Sequence, residues 1–292
     1  MPWVRIASGI VAIAIALSLI VLGGWYFTVG FGIIVYLGQL EVFGLVRAKG
    51  INPAAKTTLV VSQVLLVTAH ISPPLTDATL ALAGTCICFY LLFQPKFATI
   101  ADVAASILAL FYGGYLPTYW IRLRDLGAGA ATNLPLGGYI PSNLDWFQLP
   151  KGLTVTFIAF ACIWGADIGA YAFGRAFGRT PLSNISPKKT VEGAIFGIGA
   201  SVSVGILGAW SLGWPIWWLT GSALGTIVGV SSLLGDLTES LMKRDAGVKD
   251  SGTLIPGHGG ILDRTDSYVF TAPLVYYFVV YLLPLAIHSS LY

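Results

Sequence analysis

The sequence predicts an all-α fold, a polytopic membrane helix bundle of about nine transmembrane helices with its N-terminus inside. Three observations predict it. Of 292 residues, 56% are hydrophobic and only 10% charged, against about 25% charged in a soluble domain. A globule of this size could not bury so much apolar surface and still cover itself with polar groups. The apolar residues also fall into runs near the roughly 20 residues a helix needs to cross a bilayer, and the 35 glycines suit close helix packing in lipid better than soluble helices.

Within the first span, Val4–Leu22, the apolar run from Ile6 to Leu22 follows Arg5 and resembles a secretory signal, but the many later spans favour a retained helix. Trp25–Val46 is the second span and carries an acid, Glu41, for which the plain reading is a hydrogen bond to a neighbouring helix. A short third span, Thr57–Ile71, is followed by Ala78–Phe93 and Ile100–Ile121. The stretch Arg124–Leu149 is poor in charge and rich in Gly, Pro and Asn, and reads as an external lid or cap. Leu153–Phe173, Val191–Ser211, Trp214–Leu237 and Asp266–Ile287 complete the set. The organisation expected is therefore N-terminal transmembrane helices over 1–123, an external loop over 124–152 and a C-terminal transmembrane catalytic region over 153–292.

Charge checks the count, because excess Lys and Arg mark cytoplasmic loops. With nine spans and the N-terminus inside, 13 of the 16 basic residues lie inside; Arg122, Arg124 and Lys151 lie outside. The net charge of +3 is too small to argue for nucleic acid. Cys86, Cys88 and Cys162 all sit in apolar runs and read as small buried side chains.

Acids within or beside spans are costly and point to function. Asp167 interrupts one apolar helix, Asp236 lies near the end of another, and Asp263 and Asp266 open the last. Three residues apart, Asp263 and Asp266 share a face if the helix starts near them. With Asp236 they offer hard oxygen ligands for Mg²⁺, which commonly takes one or two carboxylates and leaves the rest to water and phosphate. The competing reading is that Arg264 and nearby lysines simply neutralise them. Cations crowd the same region at Lys243, Arg244 and Lys249, beside Asp250. Arg grips phosphate with two hydrogen bonds and Lys acts as a point charge, although positive-inside topology alone also places basic residues here. The run Pro256-Gly257-His258-Gly259-Gly260 permits close ligand approach, and the helix start after Ser186-Pro187-Lys188-Lys189-Thr190 suits an anion.

Taken together these residues resemble the defining motif of phosphatidate cytidylyltransferases, also called CDP-diacylglycerol synthases. The match is Ser240-x-Met242-Lys243-Arg244, then Lys249-Asp250, then Pro256-x-His258-Gly259-Gly260-x-x-Asp263-Arg264-x-Asp266. Gly235-Asp236-Leu237-x-Glu239-Ser240, Ala166-Asp167-x-Gly169-Ala170-Tyr171 and Ser186-Pro187-Lys188-Lys189-Thr190-x-Glu192-Gly193 also resemble the family. Two positions depart from it: Ile168 stands where a hydroxyl residue is expected, and Val191 where many members have an aromatic.

The resemblance implies the reaction of CTP with phosphatidate to give CDP-diacylglycerol and pyrophosphate. It implies Mg²⁺ and, in related members, a second cation such as K⁺. On this reading Asp236, Asp263 and Asp266 are catalytic metal ligands. Lys188, Lys189, Ser240, Lys243, Arg244, Lys249, Asp250, His258, Gly259, Gly260 and Arg264 bind substrate, with Lys188, Lys189, Lys243, Arg244 and Lys249 expected to form one electropositive basin. Asp167 is an additional polar site. The expected partners are CTP, phosphatidate and membrane lipid, with no nucleic acid; a homodimer stays open. The expected location is the inner or plasma membrane with chemistry on the cytoplasmic side. A transporter of a phosphorylated anion and another Mg²⁺-dependent lipid-phosphate transferase or kinase are the alternatives; the absence of a Walker motif weighs against the kinase. The topology predicts that a cysteine placed at Ser251 reacts with an impermeant maleimide only after the cells are permeabilised; labelling in intact cells would overturn the nine-span arrangement.

Overall fold

The structure, a computed structural model, describes residues 2–127, 132–142, 146–255 and 259–289, with the side chains of residues 2–7 and 287–289 left out of the description. Helices dominate it, and the described residues contain no β-strand beyond isolated bridges. In chain order the helices are α1 (Pro2–Leu22), α2 (Gly24–Ala48), α3 (Ala55–Ile71), α4 (Pro73–Leu92), α5 (Ile100–Leu108), α6 (Thr118–Arg124), α7 (Lys151–Phe177), α8 (Val191–Ser211), α9 (Trp217–Asp245), α10 (Leu262–Val269), α11 (Thr271–Tyr277) and α12 (Leu283–Ser289).

Among the described residues seven helical stretches are long and apolar enough to cross a membrane. Two of these are composite: Ile100–Arg124 unites α5 and α6, and Leu262–Ala286 runs from α10 into α12. Each contains a π-helical segment, Ala109–Tyr115 and Phe278–Leu282. Two further apolar helices, Ser8–Leu22 and Ala55–Ile71, are shorter. The expected count of nine depends on these two crossing as well. The chain is a membrane protein of the all-α class.

Several helix ends fall beyond their expected positions, for identifiable reasons. α4 starts at Pro73, earlier than Ala78, because proline suits the first helical turn, where its missing N–H is not needed. α9 continues to Asp245 instead of ending at Leu237, so Glu239, Ser240, Lys243 and Arg244 are helical and not part of a loop. The last span begins at Leu262, so Asp263 and Asp266 are both inside α10.

The chain forms two compact units, each built from two stretches of sequence. One contains residues 1–140 and 241–265; the other contains residues 141–240 and 266–292. In the first, α3 packs against α2, α4 and α6, and polar side chains tie the helices together. The buried Gln39 amide donates to Ser62 Oγ at 2.8 Å and to the Ala109 carbonyl at 3.0 Å. Asp102 closes a capping box with Thr99 at the start of α5 and also accepts from Asn52 N at 2.6 Å. Arg124, buried, donates to the Ile20 and Val21 carbonyls and so satisfies the last turn of α1. Part of the stretch expected to be a lid is anchored here, since Tyr139 N donates to the Leu22 carbonyl at 2.8 Å.

The second unit is held by small residues. α7 and α8 approach so closely that a Cβ on Gly197 would lie 2.8 Å from the Ala166 carbonyl oxygen and one on Gly169 would lie 2.7 Å from Ala200 Cβ. Helices in lipid gain little from the hydrophobic effect between them, so such close van der Waals contact carries association. Gly221 meets the Gly205 carbonyl in the same way and seats α9 on α8. The expected consequence is that Gly197→Val costs about 1–3 kcal/mol through overpacking, read as a lower unfolding midpoint of the detergent-solubilised protein. Gly199→Val is the control, because a Cβ there meets nothing within 4 Å.

Candidate active site

Residues 141–240 and 266–292 contain an acid cluster in the later part of α9. Asp236 and Glu239 lie three apart on that helix and Asp266 comes from α10; one oxygen from each lies within 4.8 Å of the others. Glu239 and Asp266 are buried and Asp236 is part-exposed. The close approach of the two helices depends on Gly235, whose missing side chain leaves room for the Asp266 carbonyl oxygen. Further along the same interface, the Ser231 and Thr271 hydroxyls meet at 2.9 Å. Ser240, one turn after Asp236, points its hydroxyl at Asp236 Oδ1 at 3.5 Å, the limit of a hydrogen bond.

Lys189 forms an ion pair with Asp236. The loop that carries this lysine is built by backbone pairing: Leu182 N donates to the Lys189 carbonyl at 2.8 Å and Val191 N to the Thr180 carbonyl at 2.9 Å. Thr190 then caps α8 by accepting from Gly193 N at 3.1 Å. Glu192 folds back on the loop's other end, accepting from Arg179 N at 3.1 Å and Thr180 Oγ at 2.9 Å. The local sequence Thr190-Val191-Glu192-Gly193 thus specifies a helix start and fixes the lysine just before it. Lys188 is exposed. Asp167 is exposed on α7, within one turn of Trp164, whose indole N–H donates to Tyr268 Oη at 2.6 Å.

In the unit containing residues 241–265 the motif residues have different partners. Lys243 Nζ lies 2.6 Å from Asp263 Oδ1. The other oxygen, Asp263 Oδ2, accepts from Ser251 N at 3.0 Å and Gly260 N at 2.8 Å. Asp263 therefore sits among a lysine and two backbone donors, while the close acid group consists of Asp236, Glu239 and Asp266. Ile255 N donates to the Gly259 carbonyl at 2.9 Å. Gly259 has φ +85°, a conformation that favours glycine, and a Cβ there would lie 2.7 Å from Asp263 Oδ2. Arg244 Nη1 donates to the Val248 carbonyl at 3.3 Å. Lys249, Asp250 and Arg264 are exposed. His258 lies outside the described residues.

Of the expected aspartates, then, Asp236 and Asp266 share a cluster, and Glu239 is the member that sequence reasoning passed over. Its signal was present: at three residues from Asp236 it falls on the same helical face once the helix is allowed to continue. Glu192 was visible only as part of a motif, because its partners lie in an irregular loop.

Carboxylates gathered beside a lysine, on apolar helices long enough to span a bilayer, define a class: membrane proteins with a charged functional site. The chain belongs to the cytidylyltransferase family, whose sequence model matches residues 3–282. It is 63% identical over 291 residues to the phosphatidate cytidylyltransferase of Synechocystis sp., covering 97% of this chain and 98% of that protein. It is 42% identical to the chloroplastic phosphatidate cytidylyltransferase 4 of Arabidopsis thaliana, over 94% of this chain and 72% of that one. With the phosphatidate cytidylyltransferase of Bacillus subtilis it shares 31% identity over 94% and 96% of the two chains.

The geometry makes Gly235 a site residue without any chemistry of its own. Gly235→Ala is expected to push the Asp266 backbone aside and to lower turnover by up to about two orders of magnitude, the loss a displacement near 1 Å can cause. The variant should still insert and purify as wild type does; retained turnover would show that the α9–α10 spacing is not critical.

Proposed function

We infer that this protein transfers the cytidylyl group of CTP to phosphatidate, giving CDP-diacylglycerol and pyrophosphate for phospholipid synthesis. The observation that carries this reading is the cluster of Asp236, Glu239 and Asp266 beside Lys189, in a chain that belongs to the cytidylyltransferase family over almost its whole length. Phosphatidate is a phosphomonoester and already anionic, so its oxygen needs no general base. It attacks the α-phosphorus of CTP, the new P–O bond forming as the bond to the β-phosphate oxygen breaks, and pyrophosphate leaves with the electron pair.

What the protein must supply is position and charge compensation. Lys243, Arg244 and Lys249 take up phosphate charge, and Lys243 is steered by its contact with Asp263 at 2.6 Å. Lys188 and Lys189 serve the same end from the loop before α8, with Asp236 holding Lys189 in place. Ser240, Asp250, His258, Gly259, Gly260 and Arg264 are assigned to the substrates, and Asp167 remains an additional polar position.

The residues present fit Mg²⁺. All three acids offer hard oxygens of the kind Mg²⁺ takes, and one oxygen from each lies within 4.8 Å of the others. Asp236, Glu239 and Asp266 would hold the ion, which when bound supplies charge neutralisation for the phosphates. Asp263, first expected in this set, is assigned to orienting Lys243 and its loop. A second cation such as K⁺ stays a proposal of the family resemblance. The inner or plasma membrane, with the chemistry on the cytoplasmic side, accords with the distribution of basic residues.

The test is purified protein in detergent with labelled CTP, phosphatidate and Mg²⁺; a labelled lipid and released pyrophosphate are expected, and neither should form without phosphatidate. Failure to make the lipid would overturn the reading. Asp236→Asn, Glu239→Gln and Asp266→Asn should each reduce turnover by about two orders of magnitude or more. Each should also weaken Mn²⁺ binding measured by electron paramagnetic resonance. Unchanged Mn²⁺ affinity in all three variants would move the metal elsewhere.

A further inference from the structure

Glu41 lies in α2, yet its carboxylate is taken up by residues 210 to 221 positions later in the sequence. Oε1 accepts from Ile261 N at 2.9 Å; Oε2 accepts from Leu262 N at 2.8 Å and from Ser251 Oγ at 2.7 Å. All these residues belong to the same compact unit. Ile261 N and Leu262 N are at the start of α10, where backbone N–H groups have no helical partner and a negative charge is favoured. Two glycines make the approach possible. A Cβ on Gly252 would lie 2.5 Å from Glu41 Oε1, and one on Gly260 would lie 2.6 Å from Glu41 Cδ.

These contacts form a continuous chain to the proposed phosphate-binding cations. Ser251 donates its hydroxyl to Glu41 and its backbone N–H to Asp263 Oδ2 at 3.0 Å. Gly260 N donates to the same Asp263 oxygen at 2.8 Å, and the opposite oxygen meets Lys243. The hydroxyl of Ser251 also lies 3.0 Å from Asp263 Oδ2, but its one proton serves a single acceptor at a time, and the shorter contact is to Glu41.

We propose that Glu41 is a positioning residue for the reaction: it fixes Ser251 and the start of α10, and through them the carboxylate of Asp263 that aims Lys243 at phosphate. This rests on the reading that the protein is a phosphatidate cytidylyltransferase. A carboxylate is required because all the donors facing it present hydrogen; the Glu41→Gln amide would turn an N–H₂ toward one of them.

The experiment joins kinetics to amide hydrogen exchange on the full chain in detergent. Glu41→Gln should lower kcat/KM for CTP at least tenfold and raise exchange at least tenfold at Ser251 and over 260–262, with exchange in α7 and α8 unchanged. Asp263→Asn should lower kcat/KM as well. The double variant should be within about threefold of Asp263→Asn alone, because both act on one chain of contacts. Ser251→Ala, which deletes only one donor, should give a smaller loss with the same exchange pattern and stands in should Glu41→Gln fail to accumulate. Near-wild-type kcat/KM in Glu41→Gln, or losses that multiply in the double variant, would overturn the proposal. Should the wild type make no lipid, the functional reading fails, while the exchange data still decide whether Glu41 holds the loop.

Discussion

A bilayer core offers no water to a stranded polar group, and this structure is organised around that constraint. Several of the polar side chains between helices are committed to partners. Gln39 joins α2 to α3 and to the π segment, Asp102 ties the start of α5 to the loop after α2, and Arg124 closes the end of α1. These contacts are worth modest energy individually, but leaving any of them unmade would be costly. The same constraint bears on the acids among these helices, which need partners where they stand. There, lysines and backbone N–H groups can compensate them, as they do for Asp236, Asp263 and Glu41.

The two compact units meet the constraint by different means. Residues 1–140 with 241–265 use specific hydrogen bonds between long side chains and backbone. Residues 141–240 with 266–292 rely on glycine, which lets α7, α8 and α9 pack backbone to backbone. That choice suits a site containing three acids, because a side chain opposite Gly235 would occupy the space that Asp266 needs. Gathering Asp236, Glu239 and Asp266 opposes their mutual repulsion; Lys189 offsets part of it through its pair with Asp236. The arrangement is a store of negative charge held by tight helix contact.

Much of this was legible in the sequence. The apolar runs located the helices because a continuous apolar stretch in lipid must satisfy its backbone hydrogen bonds within itself, as a helix does. The spacing of the motif identified the charged region, where acids and bases are interleaved. Helix ends were less legible: α9 runs on to Asp245 after its apolar character fades, because Thr238-Glu239-Ser240-Leu241-Met242-Lys243-Arg244 is still compatible with a helix that has left the hydrocarbon. That extension brought Glu239 into the acid group. The partner of Glu41 could not be read at all. A local pattern reports what a helix buries, while its contact with Ser251, Ile261 and Leu262 is set by tertiary packing across most of the chain.

The π segment Ala109–Tyr115 has one further bearing on the span that contains it. A wider turn accommodates an extra residue without breaking the helix, so the faces before and after it are phased separately. Upstream, Ser106 accepts from Ala54 N; downstream, Arg122 reaches Asp77 and lies over the Tyr119 ring, and Arg124 reaches the end of α1. A uniform helix of the same sequence could not satisfy both ends, because each residue turns the axis by about 100°. The segment acts as a phase shifter, letting one membrane-spanning rod present two independently aimed sets of anchors.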